Sequence, residues 1–230
     1  MKSIHDEVFD FYNKIKGDSH HRYKSWEHCY QYFGEPNPDI DTAALHLAFY
    51  LASWGMYRGS TDLIWKDYKV HTNVVEHVLK KRKDFQSLDL KKCDDKALSD
   101  IISIRNEIAE IYKQQIRIVN GKEKTANAGQ TYTLISKVML GTLGCVPAYD
   151  EFFKRGLKEQ KMSARIFDLN SLEAIQKHYN EHQEEFDDLQ KEIRVGKKPY
   201  PTMKLIDMYF WQIGKKAVEK EKRAKKKGAS

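Results

Sequence analysis

Apolar residues recur at spacings of three and four along most of the chain, the repeat of one face of an α-helix. Ile4, Val8, Phe11, Tyr12 and Ile15 mark a first helix, and Tyr23, Trp26, Tyr30 and Phe33 a second. Gly34-Glu35-Pro36-Asn37-Pro38 then breaks the chain. Asp41 can cap a third helix that is apolar nearly all round as far as Tyr57, and such a helix belongs in a core. Ser60 or Thr61 can open a short helix around Leu63 to Tyr68, and Val74, Val75, Val78 and Leu79 mark another. A long helix starts at Asp94 or Asp95, carries Leu98, Ile101, Ile102, Ile108, Ile111, Tyr112 and Val119, and ends at Asn120-Gly121. After a loop to Gln130, helices are predicted at about Thr131–Leu140 and Glu151–Leu157, with Gly141 to Pro147 as a turn between them. Ser171 can cap a helix reaching Ile193, and Gly196 to Pro201 separates it from a last helix carrying Leu205, Ile206, Tyr209, Phe210 and Trp211. There is no repeat and no strand series. The class is all-α, with the first and last helices expected to close one lobe.

Charge divides the chain into a body and a tail. Of 40 Lys plus Arg against 33 Asp plus Glu, a net +7, residues 214–230 supply eight bases and two acids. Residues 1–213 are therefore nearly neutral and read as one helical domain. Residues 214–230 read as a basic tail, either a solvated helix end or a phosphate-seeking segment. A nucleic-acid site on the body must then be a local patch. Cys29, Cys93 and Cys145 stand far apart without a Cys-x-x-Cys pair, which excludes an iron–sulfur cluster and a zinc ribbon and suits a reducing cytosol. No cofactor and no metal is expected. Nothing resembles a secretory leader, and the apolar run from Ala43 to Tyr57 is shorter than the roughly 20 residues that span a bilayer. The expectation is a cytoplasmic protein with no membrane partner and no obligate protein partner.

The stretch from Asn127 to Leu157 is the most informative. Asn127-Ala128-Gly129-Gln130-Thr131-Tyr132-Thr133 leads into a helix, and Pro147, Asp150, Phe153 and Arg155 follow, with Asp150 21 residues after Gly129. Here the chain resembles the helix-hairpin-helix DNA glycosylases. Gly129 stands at the second hairpin glycine, and Asn127, a residue that tolerates the left-handed conformation, at the first. The resemblance covers about 30 of the 230 residues. It implies a two-lobed helical fold containing a helix-hairpin-helix motif, double-stranded DNA as partner, and Asp150 as the catalytic carboxylate. Asn127, Gly129, Gln130, Thr131 and Thr133 would grip a phosphate with backbone N–H groups at a helix start. Arg155 would add a phosphate contact. The lysine used by bifunctional members is Thr131 here, so the resemblance implies a monofunctional enzyme that leaves an abasic site. Lys137, six residues further on, is expected to point away, as a solvated lysine or a phosphate contact. Relatives of this type include defence enzymes that attack modified phage bases, such as glucosylated hydroxymethylcytosine. The plain reading of Asp150 is an N-cap of the helix that follows it.

Two aromatic-polar clusters could form a pocket for an extruded base, one around Trp26 and His28, the other around Trp54, Tyr57 and Arg58. Large aromatics at helical spacing are more often core. Two further readings stand beside the glycosylase. Arg22 and His28, six apart on a predicted helix, resemble the HEPN ribonuclease pattern. The hairpin and tail could also belong to a non-catalytic DNA-binding module.

Overall fold

A computed structural model describes residues 2–86, 88, 93–119, 121–123 and 131–227. Among these, the fold is all-α, as the periodicity predicts, with ten α-helices and two short antiparallel hairpins. The first helices are α1 (Ile4–Gly17), α2 (Lys24–Phe33), α3 (Ile40–Ser53), α4 (Thr72–Phe85) and α5 (Asp95–Gln115). After them come α6 (Tyr132–Thr142), α7 (Glu151–Glu159), α8 (Leu169–Glu181), α9 (Gln183–Glu192) and α10 (Thr202–Lys227). Side-chain caps fix several starts. Ser3 and Asp6 form a reciprocal capping box on α1, while Asp39, Asp94, Thr131, Asp150 and Asp168 each accept an N–H from the first turn of α3, α5, α6, α7 and α8.

The buried apolar residues form one cluster running from Ile4 to Trp211. Its axis is α10, where every residue from Thr202 to Gln212 is buried, as expected of a segment apolar on all faces. α1 packs along α10, so the two termini do close on each other. α7 lies closer still. A Cβ on Gly156 would strike the carbonyl of Phe210, and one on Gly214 the carbonyl of Phe152. The two backbones meet because neither position carries a side chain.

Several expected boundaries shift. α3 is capped by Asp39, not Asp41, because the Asp39 carboxylate takes the Thr42 N–H at 2.8 Å. Nor is α3 buried all round: Leu45 and Phe49, one turn apart, are more than half exposed. The expected helix at 63–68 is three 3-10 turns, Gly59–Thr61, Leu63–Trp65 and Tyr68–His71, with Asp62 in the left-handed region at φ 60°. The long helix stops at Gln115, and Ile118–Val119 pairs with Lys122–Glu123 through a turn at Gly121, whose φ is 72°. The single helix expected from Ser171 to Ile193 breaks at His182 into α8 and α9. The expected basic tail is the continuation of α10 as far as Lys227. Its first turns are docked: Lys216 bonds Glu7 and Asp10 at 2.6 Å each, and Glu221 pairs with Arg155.

Candidate active site

The chain between α6 and α7 is pinned from two sides. On the α6 side, Thr133 donates to the Tyr149 carbonyl at 2.9 Å and the Ser136 hydroxyl accepts the Tyr149 N–H at 2.8 Å. On the α10 side, the Asp207 carboxylate accepts the Ala148 N–H at 3.0 Å. The Asp150 N–H closes a tight turn on the Ala148 carbonyl at 2.8 Å. These bonds leave the Pro147–Asp150 backbone little freedom and fix the direction of the Asp150 side chain.

One carboxylate oxygen of Asp150 caps α7 through the Phe153 N–H at 3.0 Å, so the plain reading of this residue is present in the structure. The other accepts Lys137 Nζ at 2.9 Å. Lys137 is thus neither solvated nor aimed away: its side chain is 3% exposed, and that of Asp150 15%. The expectation failed because it considered only α6. The chain reverses between Thr142 and Asp150 and brings the carboxylate to the lysine.

A second pair lies alongside. Lys204 Nζ bonds Asp207 at 2.9 Å, with both side chains almost wholly buried. Trp54 joins the two pairs. Its ring lies 4.8 Å from Lys137 Nζ and 5.3 Å from Lys204 Nζ, distances at which an ammonium is attracted to the ring face. Lys204 also faces Phe11 at 5.3 Å and Trp26 at 5.1 Å. Trp54 stacks on Tyr23 with centroids 4.3 Å apart. Trp54 is half-buried, and its indole N–H is buried without a hydrogen-bond partner. Tyr50, packed over Gly141, has its phenol pushed well above the ordinary range, first by burial and then by the negative charges of Asp207 and Asp150. The result is a partly exposed carboxylate next to two buried ammonium groups packed against aromatic rings.

The other candidates scatter. Trp26 is core, its indole N–H donating to the Leu140 carbonyl at 3.0 Å and its ring facing Lys204. The Tyr57 hydroxyl bonds His71, whose other ring nitrogen bonds the Tyr112 hydroxyl at 2.7 Å. Burial holds the His71 imidazole neutral, its pKa down to about 3. Arg58 and His28 are exposed. Among the described residues, Tyr57, Arg58 and His28 make no hydrogen bond, ion pair or ring contact with Asp150, Lys137 or Trp54. Arg155 is held by Glu159 and Glu221 on the surface of α7 and α10. Arg22 precedes α2, in the turn before Lys24, and lies over the Tyr23 ring at 5.1 Å; the expected placement of Arg22 and His28 on one helix is not met. Asn127, Gly129 and Gln130 fall outside the described residues. Thr131 caps α6 through the Leu134 N–H at 3.2 Å.

Two groups of residues escaped the sequence reading. Lys204 and Asp207 could have been found as two charges set inside an apolar helical run. Arg105 was invisible because its site depends on tertiary contact. It lies over the rings of Tyr132 and Phe167 at 5.4 and 5.5 Å, in an open groove of about 560 Å³ that reaches Thr131 at the start of α6.

Comparison with family models, with curated proteins and with solved structures finds no match to this chain. Function must therefore be argued from the site. No helix among the described residues is long and apolar enough to cross a membrane.

Proposed function

We propose that this chain is a monofunctional DNA glycosylase that extrudes a modified or damaged base from double-stranded DNA and hydrolyses its N-glycosidic bond. Modified phage DNA is the substrate class that the helix-hairpin-helix resemblance brings with it. The observation that carries the reading is the placement of Asp150: a carboxylate on a rigid turn, partly open to solvent, charge-paired with a buried lysine, beside an indole whose N–H has no partner. An N-cap alone does not need the buried lysine.

The chemistry follows from that placement. Cleaving the bond between sugar and base builds positive charge on the sugar, and a fixed carboxylate near it stabilises the transition state and orients water. A base would meet Trp54 only after the indole leaves its packing on Tyr23 and the two lysines, which would free a ring face for stacking and expose its unpartnered N–H. Lys137, as the cation bonded to Asp150, is engaged as a charge partner, which supports base removal without strand cleavage by a lysine nucleophile. The start of α6, with Arg105 and Tyr132 beside it, is the surface on which a phosphate would rest.

The test is base release from duplex oligonucleotides carrying normal, alkylated, hydroxymethylated or glucosylated bases, read as alkali-labile sites. The wild type should produce them on at least one modified duplex, without strand breaks before alkali. Asp150→Asn, which keeps the helix cap, should lose at least about 100-fold in rate. Full activity in Asp150→Asn overturns the mechanism, and a borohydride-trapped covalent complex overturns the monofunctional assignment.

A further inference from the structure

The elbow between α8 and α9 carries a group of residues with no part in the chemistry above. His178, Glu181 and His182 stand at the end of α8 in the order His-x-x-Glu-His. Positions i, i+3 and i+4 share one helix face. Each residue offers one ligand atom, and these atoms lie within 4.8 Å of one another. The two imidazole centroids are 4.7 Å apart.

The state of His178 adds an independent observation. It is packed against Tyr209, Phe210 and Phe186, with centroids 5.7, 5.0 and 6.3 Å away. Its Nε2 is buried and has no hydrogen-bond partner. Glu185, the first-turn acid of α9, reaches His182 Nδ1 at 3.2 Å and supplies a second carboxylate beside the three.

The geometry points to a divalent-metal site for Zn²⁺ at this elbow, with His178, His182 and Glu181 as ligands and Glu185 within reach as a fourth. Two neutral imidazoles and a carboxylate are a zinc donor set. Tetrahedral bonds of about 2.0–2.2 Å need donors roughly 3.3 Å apart, so the set must draw in from its present spacing. Glu181 is exposed and His182 sits at a helix break, so side-chain rotation can supply that movement while His178 stays fixed in its aromatic packing. A bound ion would lock the α8–α9 angle against α10, where His178 contacts Tyr209 and Phe210, two and three positions from Asp207. Its role is structural, separate from base excision.

The test uses the purified full chain, freed of metal with a chelator and titrated with ZnCl₂ by calorimetry, with Co²⁺ absorption reporting tetrahedral coordination. One ion per chain should bind, and the melting temperature should rise by about 3–5 °C at saturation. His182→Ala, at an exposed break, should keep the metal-free melting temperature and weaken binding at least about 30-fold. Glu181→Gln should weaken it less. The double variant His20→Ala/His21→Ala, at a histidine pair remote in sequence from the elbow, should bind as the wild type does. Absence of stoichiometric binding overturns the site, as does equal affinity in His182→Ala or loss of binding in the His20/His21 variant. Base excision by the metal-free protein bears on the previous proposal alone.

Discussion

The two lysine–aspartate pairs have the same chemistry, the same 2.9 Å bond and the same tryptophan between them, yet they are set in different surroundings. Lys204 and Asp207 stand one turn apart on α10, in the centre of the core, and Asp207 spends its second oxygen on the Ala148 N–H. Lys137 and Asp150 come from separate elements, and the carboxylate end reaches solvent. The inner pair is closed: it holds the turn that carries Asp150. The outer pair is open: it holds a charge where a ligand can meet it. Taking two charges out of water costs more than their attraction returns unless further bonds complete them. The inner pair meets that condition, with the Ala148 N–H and three aromatic faces around the ammonium. The outer pair meets it only in part, which leaves one edge of the Asp150 carboxylate open to water.

Breaking the inner pair should have the largest effect on stability. Lys204→Met leaves Asp207 buried with a single N–H, and a broken buried pair costs about 3–5 kcal/mol. Urea unfolding measures it. The same variant should lower base excision, because Asp207, which anchors the turn bearing Asp150 through the Ala148 N–H, loses its charge partner. A loss under about 1 kcal/mol would mean that the inner pair is not the structural one.

The comparison has a pH window, set by the buried His71 and the half-buried His178. His71 has its pKa lowered to about 3 and His178 to about 4, in both cases chiefly by burial. Between the ordinary histidine value near 6.5 and these values, the unfolded chain binds protons that the folded chain refuses. Stability is therefore complete above about pH 6.5 and is lost as pH falls toward 3, by about 3 kcal/mol for His71 at pH 4. His71→Gln should flatten unfolding free energy against pH by up to about 1.4 kcal/mol per unit in that window. An unchanged slope would remove His71 from the account. The two pairs are best compared at pH 7 and above, where the histidines do not contribute.

The fold was more legible than the site. Helical spacing located nearly every long helix, because an amphipathic face is a local pattern. Boundaries failed where one residue's neighbours decided them. His182 breaks an otherwise continuous periodicity, and Leu45 and Phe49 read as core because their types suit a core. In the site, Asp150 was legible as the cap of α7. Lys137 was misread, since spacing along α6 says nothing about a turn that folds back eight residues beyond its end. Trp54 was named with Tyr57 and Arg58 from one sequence cluster. The structure separates them, sending Trp54 to the lysines and the Tyr57 hydroxyl to His71.

Breaking the outer pair should have the smallest effect on stability. Lys137→Met removes the ammonium but leaves Asp150 with its Phe153 N–H and an edge open to water, so the carboxylate is never both charged and wholly unpaired. A loss of about 1–2 kcal/mol is expected, less than half that of Lys204→Met. The methionine keeps the length and the packing on Trp54, which confines the change to charge. Activity should respond in the opposite order to stability. Without its cation Asp150 keeps one of the two bonds that orient its carboxylate, and base excision should fall by about 10–100-fold in rate, more than so small a stability loss can explain. Paired measurements on the two variants, urea unfolding and single-turnover base release, decide the matter. If Lys137→Met costs as much stability as Lys204→Met, or leaves base release unchanged, the outer pair is a second piece of scaffold and the division drawn between the pairs falls.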